Sequence, residues 1–126
     1  MKEKKSLAQY EGKVIFINIW ATWCAPCIAE MPGINDLYND LKNENIQFVL
    51  FSVDDEFENA LAFIKRKEYS FPIYHSGGNI PPLYQTGTIP TTFIIDTKGN
   101  LVLEHQGMAN YNSDEFKNFL RTLMGT

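Results

Sequence analysis

Cysteine and histidine are scarce in this 126-residue chain, with two of each. That scarcity limits the metal chemistry the chain can carry. No apolar run reaches the roughly 18 residues a membrane-spanning helix needs. The first residues also lack the apolar stretch of a secretory signal. Basic residues are short as well: 11 Lys and Arg against 15 Asp and Glu leave a formal charge of −4. A nucleic-acid binder shows a basic face, so that class is disfavoured. The one basic cluster, Lys2, Lys4 and Lys5 around Glu3, reads as a solvated terminus. The chain as it stands reads as soluble, and equally as one domain of a longer exported or anchored protein. Residues 1–11 are expected to be an extension or linker.

What is present is apolar and aromatic. Hydrophobic residues make up 44% and aromatics 13%, enough for the core of a single domain spanning residues 1–126. There are no repeats, low-complexity tracts or internal linkers. Val14 to Trp20 is β-branched, aromatic and nearly continuous in apolar character, which predicts a strand buried on both faces. From Ala25 to about Asn43, the spacing of Ile28, Met31, Ile34, Leu37, Tyr38 and Leu41 predicts a helix, with Pro32 interrupting and kinking it. Ile46 to Val53 reads as a second buried strand, ended by Asp54 and Asp55, which are expected to cap the next helix. That helix carries Phe57, Ala60, Leu61 and Ile64 on one side and Lys65 to Lys67 at its end. Phe71 to Tyr74 is a short strand candidate broken by Gly77 and Gly78, and Pro81 to Gln85 a single helical turn. Thr91 to Ile95 and Leu101 to Glu104 form a hairpin across D-T-K-G-N. Asn112 with Glu115 resembles a capping box ahead of a last helix burying Phe116, Phe119, Leu120 and Leu123. Strands alternating with helices imply a parallel sheet, to which the hairpin adds an antiparallel edge.

The two cysteines stand three positions apart, in Cys24-Ala25-Pro26-Cys27. A bond at that spacing closes almost no loop and constrains the unfolded chain little, so a structural staple is a poor explanation. Redox or metal chemistry remains. Tetrahedral zinc needs two further ligands, and His75 and His105 have no metal-like spacing, reading instead as surface residues. The pair lies between the first strand and the first helix, which puts Cys24 at or just before a helix N-terminus. Free amides and the positive end of the dipole stabilise a thiolate there. Pro26 suits the first turn, where its missing N–H is not needed. Cys27, one turn on, is expected on the inner, less exposed side. Thiol–disulfide exchange follows: Cys24 attacks a substrate disulfide and Cys27 resolves the mixed disulfide.

The run W-A-T-W-C-A-P-C, Trp20 to Cys27, after an apolar strand resembles the thioredoxin superfamily. Thr88-Ile89-Pro90-Thr91-Thr92-Phe93 resembles the segment that holds that family's cis-proline, with Ile89–Pro90 as the cis bond. In the family this loop faces the cysteines, and its backbone pairs with an extended substrate. Ordinary thioredoxins carry a buried acid where this chain has Asn18, which cannot accept a proton at neutral pH. Instead C-x-x-C-x-x-E-x-P, Cys24 to Pro32, is similar to the TlpA/ResA-like branch, whose glutamate lies near the cysteines. The stretch between the second strand and Pro90 resembles that branch's central insertion. The implied fold is α/β and thioredoxin-like, a central mixed sheet with helices on both faces.

The resemblance implies catalytic roles for Cys24, Cys27 and Glu30. It implies substrate contact at Trp23, Ala25, Pro26, Ile89 and Pro90. Glu30, three residues after Cys27, shares its helical face. Burial would raise its pKa into a range useful for acid–base work. No cofactor or metal is implied beyond the Cys24–Cys27 disulfide. The implied partners are protein or peptide disulfides, apocytochrome c among them, and an upstream membrane thiol donor. The implied setting is extracytoplasmic, and a monomer is expected. Trp23 is expected as a partly exposed wall beside the cysteines and Trp20 as core. Thr22 reads as a turn residue, and Phe71, Tyr74 and Tyr84 as core aromatics. A peroxiredoxin-like peroxidase would need P-x-x-x-T/S-x-x-C, yet position 17 is Ile17 and Thr22 stands two before Cys24. A binding module without redox turnover would have no use for Cys24, Cys27 and Pro90 together.

Overall fold

A computed structural model describes residues 10–75 and 87–125. Lys2, Lys4, Lys5 and most of the expected extension lie outside these residues, as do Gly77, Gly78, Tyr84 and the turn expected at Pro81 to Gln85. The elements are β1 (Val14–Trp20), α1 (Ala25–Leu41), β2 (Ile46–Ser52), α2 (Phe57–Lys67), β3 (Ile73–His75), β4 (Thr91–Ile95), β5 (Leu101–Gln106) and α3 (Asp114–Met124). The sheet runs in the order β3-β2-β1-β4-β5. β1, β2 and β3 are parallel, while β4 and β5 are antiparallel to their inner neighbours. This is the mixed sheet with an antiparallel hairpin edge that the strand and helix pattern implied.

β1 is central, and all seven of its residues are buried. The strand period of two divides them between two cores. Val14, Phe16 and Trp20 join Phe48, Leu50 and the buried faces of the helices. Ile15, Ile17 and Ile19 join Val49, Phe51, Phe93 and Ile95 on the opposite face. Among the described residues, all three helices contribute to the first core and none to the second. The topology explains this. The crossovers β1-α1-β2 and β2-α2-β3 step in the same direction across the sheet, and right-handed crossovers in one direction place their helices on one face.

Several boundaries differ from those read in the sequence. α1 continues unbroken through Pro32, whose ring removes one ladder bond at an exposed position. α2 is not capped by Asp54 or Asp55: its N-cap is Glu56, without a side-chain cap bond, because the Asp54 carboxylate is engaged elsewhere. α3 is capped by Ser113, whose hydroxyl accepts from Phe116 N at 3.1 Å, and not by Asn112. The 96–100 turn is as the hairpin signal implied. Asp96 Oδ1 accepts from Lys98 N and Asn100 N, and Gly99 takes a φ of +86°. His75 and His105 are half-buried rather than on the surface. His75 packs on Phe57, and His105 meets the edge of the Tyr111 ring.

Candidate active site

The chain leaves β1 at Trp20, turns through Ala21 to Trp23, and enters α1 at Ala25. Cys24 is the N-cap of α1, in extended conformation, and its Sγ accepts from Cys27 N at 3.2 Å. A sulfur thus occupies the place a Ser or Asp oxygen takes in an ordinary cap, in line with an orphan amide and the dipole's positive end. Cys24 and Cys27 form a disulfide with their Cα atoms 5.2 Å apart, within the usual span. Cys27 is completely buried, while Cys24 keeps a small exposed surface. Beside them Trp23 is 69% exposed, and Ala25 and Pro26 are exposed as well. Trp20 is fully buried.

The loop before β4 closes over this end of α1. The Ile89–Pro90 peptide is cis, and the Ile89 carbonyl oxygen lies 3.8 Å from Cys24 Sγ. Thr91 Oγ1 donates to Thr88 O, and Gly107 N donates to Pro90 O. The structure therefore brings together Trp23, Cys24, Ala25, Pro26, Ile89 and Pro90 at the α1 N-terminus.

Glu30 lies on the inward side of α1 and is only 4% exposed. Its Oε2 accepts from Asn18 Nδ2 at 2.9 Å, and its Oε1 from Ala109 N at 3.3 Å. Burial pushes its carboxyl up from 4.5 to about 7, against the opposing effect of the Asn18 and Ala109 hydrogen bonds. Asn18 Nδ2 also donates to Thr92 Oγ1 across the β1–β4 pair, at 2.9 Å. Tyr111 is buried next to this group. Desolvation, together with the nearby Glu30 charge, pushes its phenol up to about 12, so it stays neutral.

Three members of this arrangement are not legible in the sequence. Asn18 marks there only the acid it replaces, not the anchor of Glu30. Nothing local sets Tyr111 apart. Asp54 reads as a helix-entry acid, yet it is buried and grips the turn ahead of Cys24. The D-D pair after an apolar strand was the available signal, but it does not say which acid turns inward. Among the described residues, no group of three or more His, Cys, Asp or Glu gathers to hold a metal, and no helix is long and apolar enough to cross a membrane.

A family model described as the AhpC/TSA family matches residues 1–103. The chain is 38% identical over 96 residues to the thiol-disulfide oxidoreductase ResA of Oceanobacillus iheyensis, covering 75% of this chain and 50% of that protein. It is 31% identical over 121 residues to ResA of Halalkalibacterium halodurans, covering 94% of this chain and 69% of that protein. The chain spans about half to three-fifths of the length of the first curated ResA proteins it matches. Among solved structures, a thiol:disulfide interchange protein of the thioredoxin family from Chlorobium tepidum superposes with a TM-score of 0.78 at 26% identity, covering 96% of this chain and 86% of that one. The fold is thioredoxin-like, and the chain belongs to the AhpC/TSA family, in its ResA-like branch.

Proposed function

We propose that this chain is a thiol–disulfide oxidoreductase that reduces protein disulfides through Cys24 and Cys27. The observation that carries the reading is the position of Cys24 as the N-cap of α1, disulfide-bonded to the buried Cys27 and facing the Ile89 carbonyl. In the reduced protein, the helix N-terminus favours the Cys24 thiolate. That thiolate attacks one substrate sulfur, forms a mixed disulfide and expels the other substrate sulfur as thiolate. Cys27, deprotonated, then attacks Cys24 Sγ and expels the second substrate thiolate. Two electrons pass to the substrate, and the Cys24–Cys27 bond remains in the protein.

Glu30 is the proposed acceptor of the Cys27 proton. A carboxyl titrating near neutrality, one turn along the same helix face, suits that step. Trp23, Ala25, Pro26, Ile89 and Pro90 are the proposed substrate contacts, with the backbone of the bend at Ile89, just ahead of β4, pairing an extended peptide. The proposed setting is outside the cytoplasm, and the proposed state is a monomer. A membrane thiol donor reduces it again, and protein disulfides such as that of apocytochrome c are its substrates. The proposed redox group is the Cys24–Cys27 disulfide. Reduction of insulin disulfides by the wild type, lost in Cys24→Ser, tests the activity; equal rates from the two proteins would sink it.

A further inference from the structure

The most tightly held acid outside the Glu30 group is Asp54, just beyond the end of β2 and 3% exposed. Its Oδ1 accepts from Thr22 Oγ1 at 2.6 Å and from Thr22 N at 3.1 Å. Its Oδ2 accepts from Ser52 Oγ at 2.6 Å and lies 3.2 Å from Thr22 N. Asp54 N in turn donates to Ser52 Oγ, and His75 Nε2 meets Asp54 O at 3.1 Å. A carboxylate removed from water needs such a set of donors to stay in place. Three of these contacts come from Thr22, in the turn two residues before Cys24, and one from Ser52 at the end of β2.

The turn is also held by the fully buried Ala21 and, at its start, by Val53 N, which donates to Trp20 O. Cys24 N donates to Ala21 O, which closes the turn around Thr22 and Trp23. Thr22 is the residue in the middle that is tied to the neighbouring strand. From this clamp the geometry points to Asp54 as a positioning residue of the thiol–disulfide exchange: by holding Thr22 it fixes the backbone that sets Cys24 at the α1 N-cap. Ser52 is the brace that orients the carboxylate, and Thr22 is the point of attachment. This rests on the exchange reaction proposed above. The other ionisable groups at this place are His75, which contacts the Asp54 backbone, and Asp55 and Glu56, both exposed at the entry to α2.

A positioning role and a simple charge effect have opposite signs. Removing a negative charge near a thiol lowers that thiol's pKa. Losing the cap geometry removes the amide and dipole stabilisation of the thiolate and raises it. The test is the ultraviolet thiolate titration of Cys24 in the reduced protein, which needs no substrate, for wild type, Asp54→Asn, Thr22→Val and Thr22→Ser. Thr22→Ser keeps both donors and is expected at the wild-type value. Asp54→Asn is expected to raise the Cys24 pKa by on the order of one unit, with roughly threefold slower attack on a disulfide at neutral pH, since the smaller thiolate fraction is partly offset by its greater nucleophilicity. Thr22→Val is expected to shift it the same way by less. If Asp54→Asn does not fold, the Thr22 pair decides. A pKa that stays or falls in either folded variant, or an equal shift in Thr22→Ser and Thr22→Val, overturns the positioning role. If the wild type reduces no disulfide, the proposed function falls while the titration still reads the clamp.

Discussion

The Asn18 carboxamide donates to the Glu30 carboxylate at 2.9 Å, joining the central strand to the helix that carries the cysteines. The contact is buried and spans 12 residues of sequence. It gives a carboxyl in an apolar setting one fixed donor, with Ala109 N as a second. The same amide reaches Thr92, so the acid is referenced to β1, β4 and the loop after β5 together.

Glu30 makes the stability of the oxidised protein depend on pH. Its folded-state pKa of about 7 lies above the ordinary 4.5, because burial disfavours the charge. The folded protein therefore holds this proton more tightly than the unfolded chain. Its contribution is fully present below about pH 4.5 and is lost as pH rises through about 7, by at most about 3 kcal/mol. Urea unfolding between pH 4 and 8 is expected to show this decline in the wild type and not in Glu30→Gln. A parallel decline in both proteins would show that Glu30 is not its source.

Asn18→Ala removes a donor that favours the ionised carboxyl. The Glu30 pKa is expected to rise further above 7, and stability near neutral pH to fall by about 1–3 kcal/mol from the lost buried partner. Carboxyl titration by carbon NMR checks the first outcome and denaturant unfolding the second. A Glu30 pKa lower in this variant than in the wild type would contradict the direction assigned to the hydrogen bond.

Ser113→Ala should destabilise the protein by about 1 kcal/mol through loss of the α3 cap, whereas Asn112→Ala should cost less than that. Thermal unfolding of the two variants separates them. The reverse order would assign the cap to Asn112.

Legibility in the sequence followed locality. β1, the C-x-x-C turn and the 96–100 hairpin turn are specified by neighbours along the chain, through unbroken β-branched runs, a proline in a first helical turn and an Asp-to-Gly pattern. The cis-proline segment was legible through resemblance to a motif. The Glu30 environment was legible only in part. Its place on the Cys27 face follows from helical spacing, but its anchor does not, because Asn18 meets it through strand parity and helix docking. Asp54 shows the same limit. Two adjacent acids after a strand read alike, and only the fold decides that Asp54 turns inward to Thr22 while Asp55 faces solvent. The common face of the helices depended on the direction of two crossovers, which element order alone leaves open.

The most direct measurement of the exchange chemistry is intact mass analysis of reduced Cys27→Ser and reduced Cys24→Ser, each mixed with a disulfide-bonded peptide. Cys27→Ser is expected to accumulate a one-to-one mixed disulfide at Cys24, since no second thiol can resolve it, and Cys24→Ser to stay at its own mass because Cys27 is buried. An adduct on Cys24→Ser, or none on Cys27→Ser, would contradict the assignment of Cys24 as the attacking sulfur.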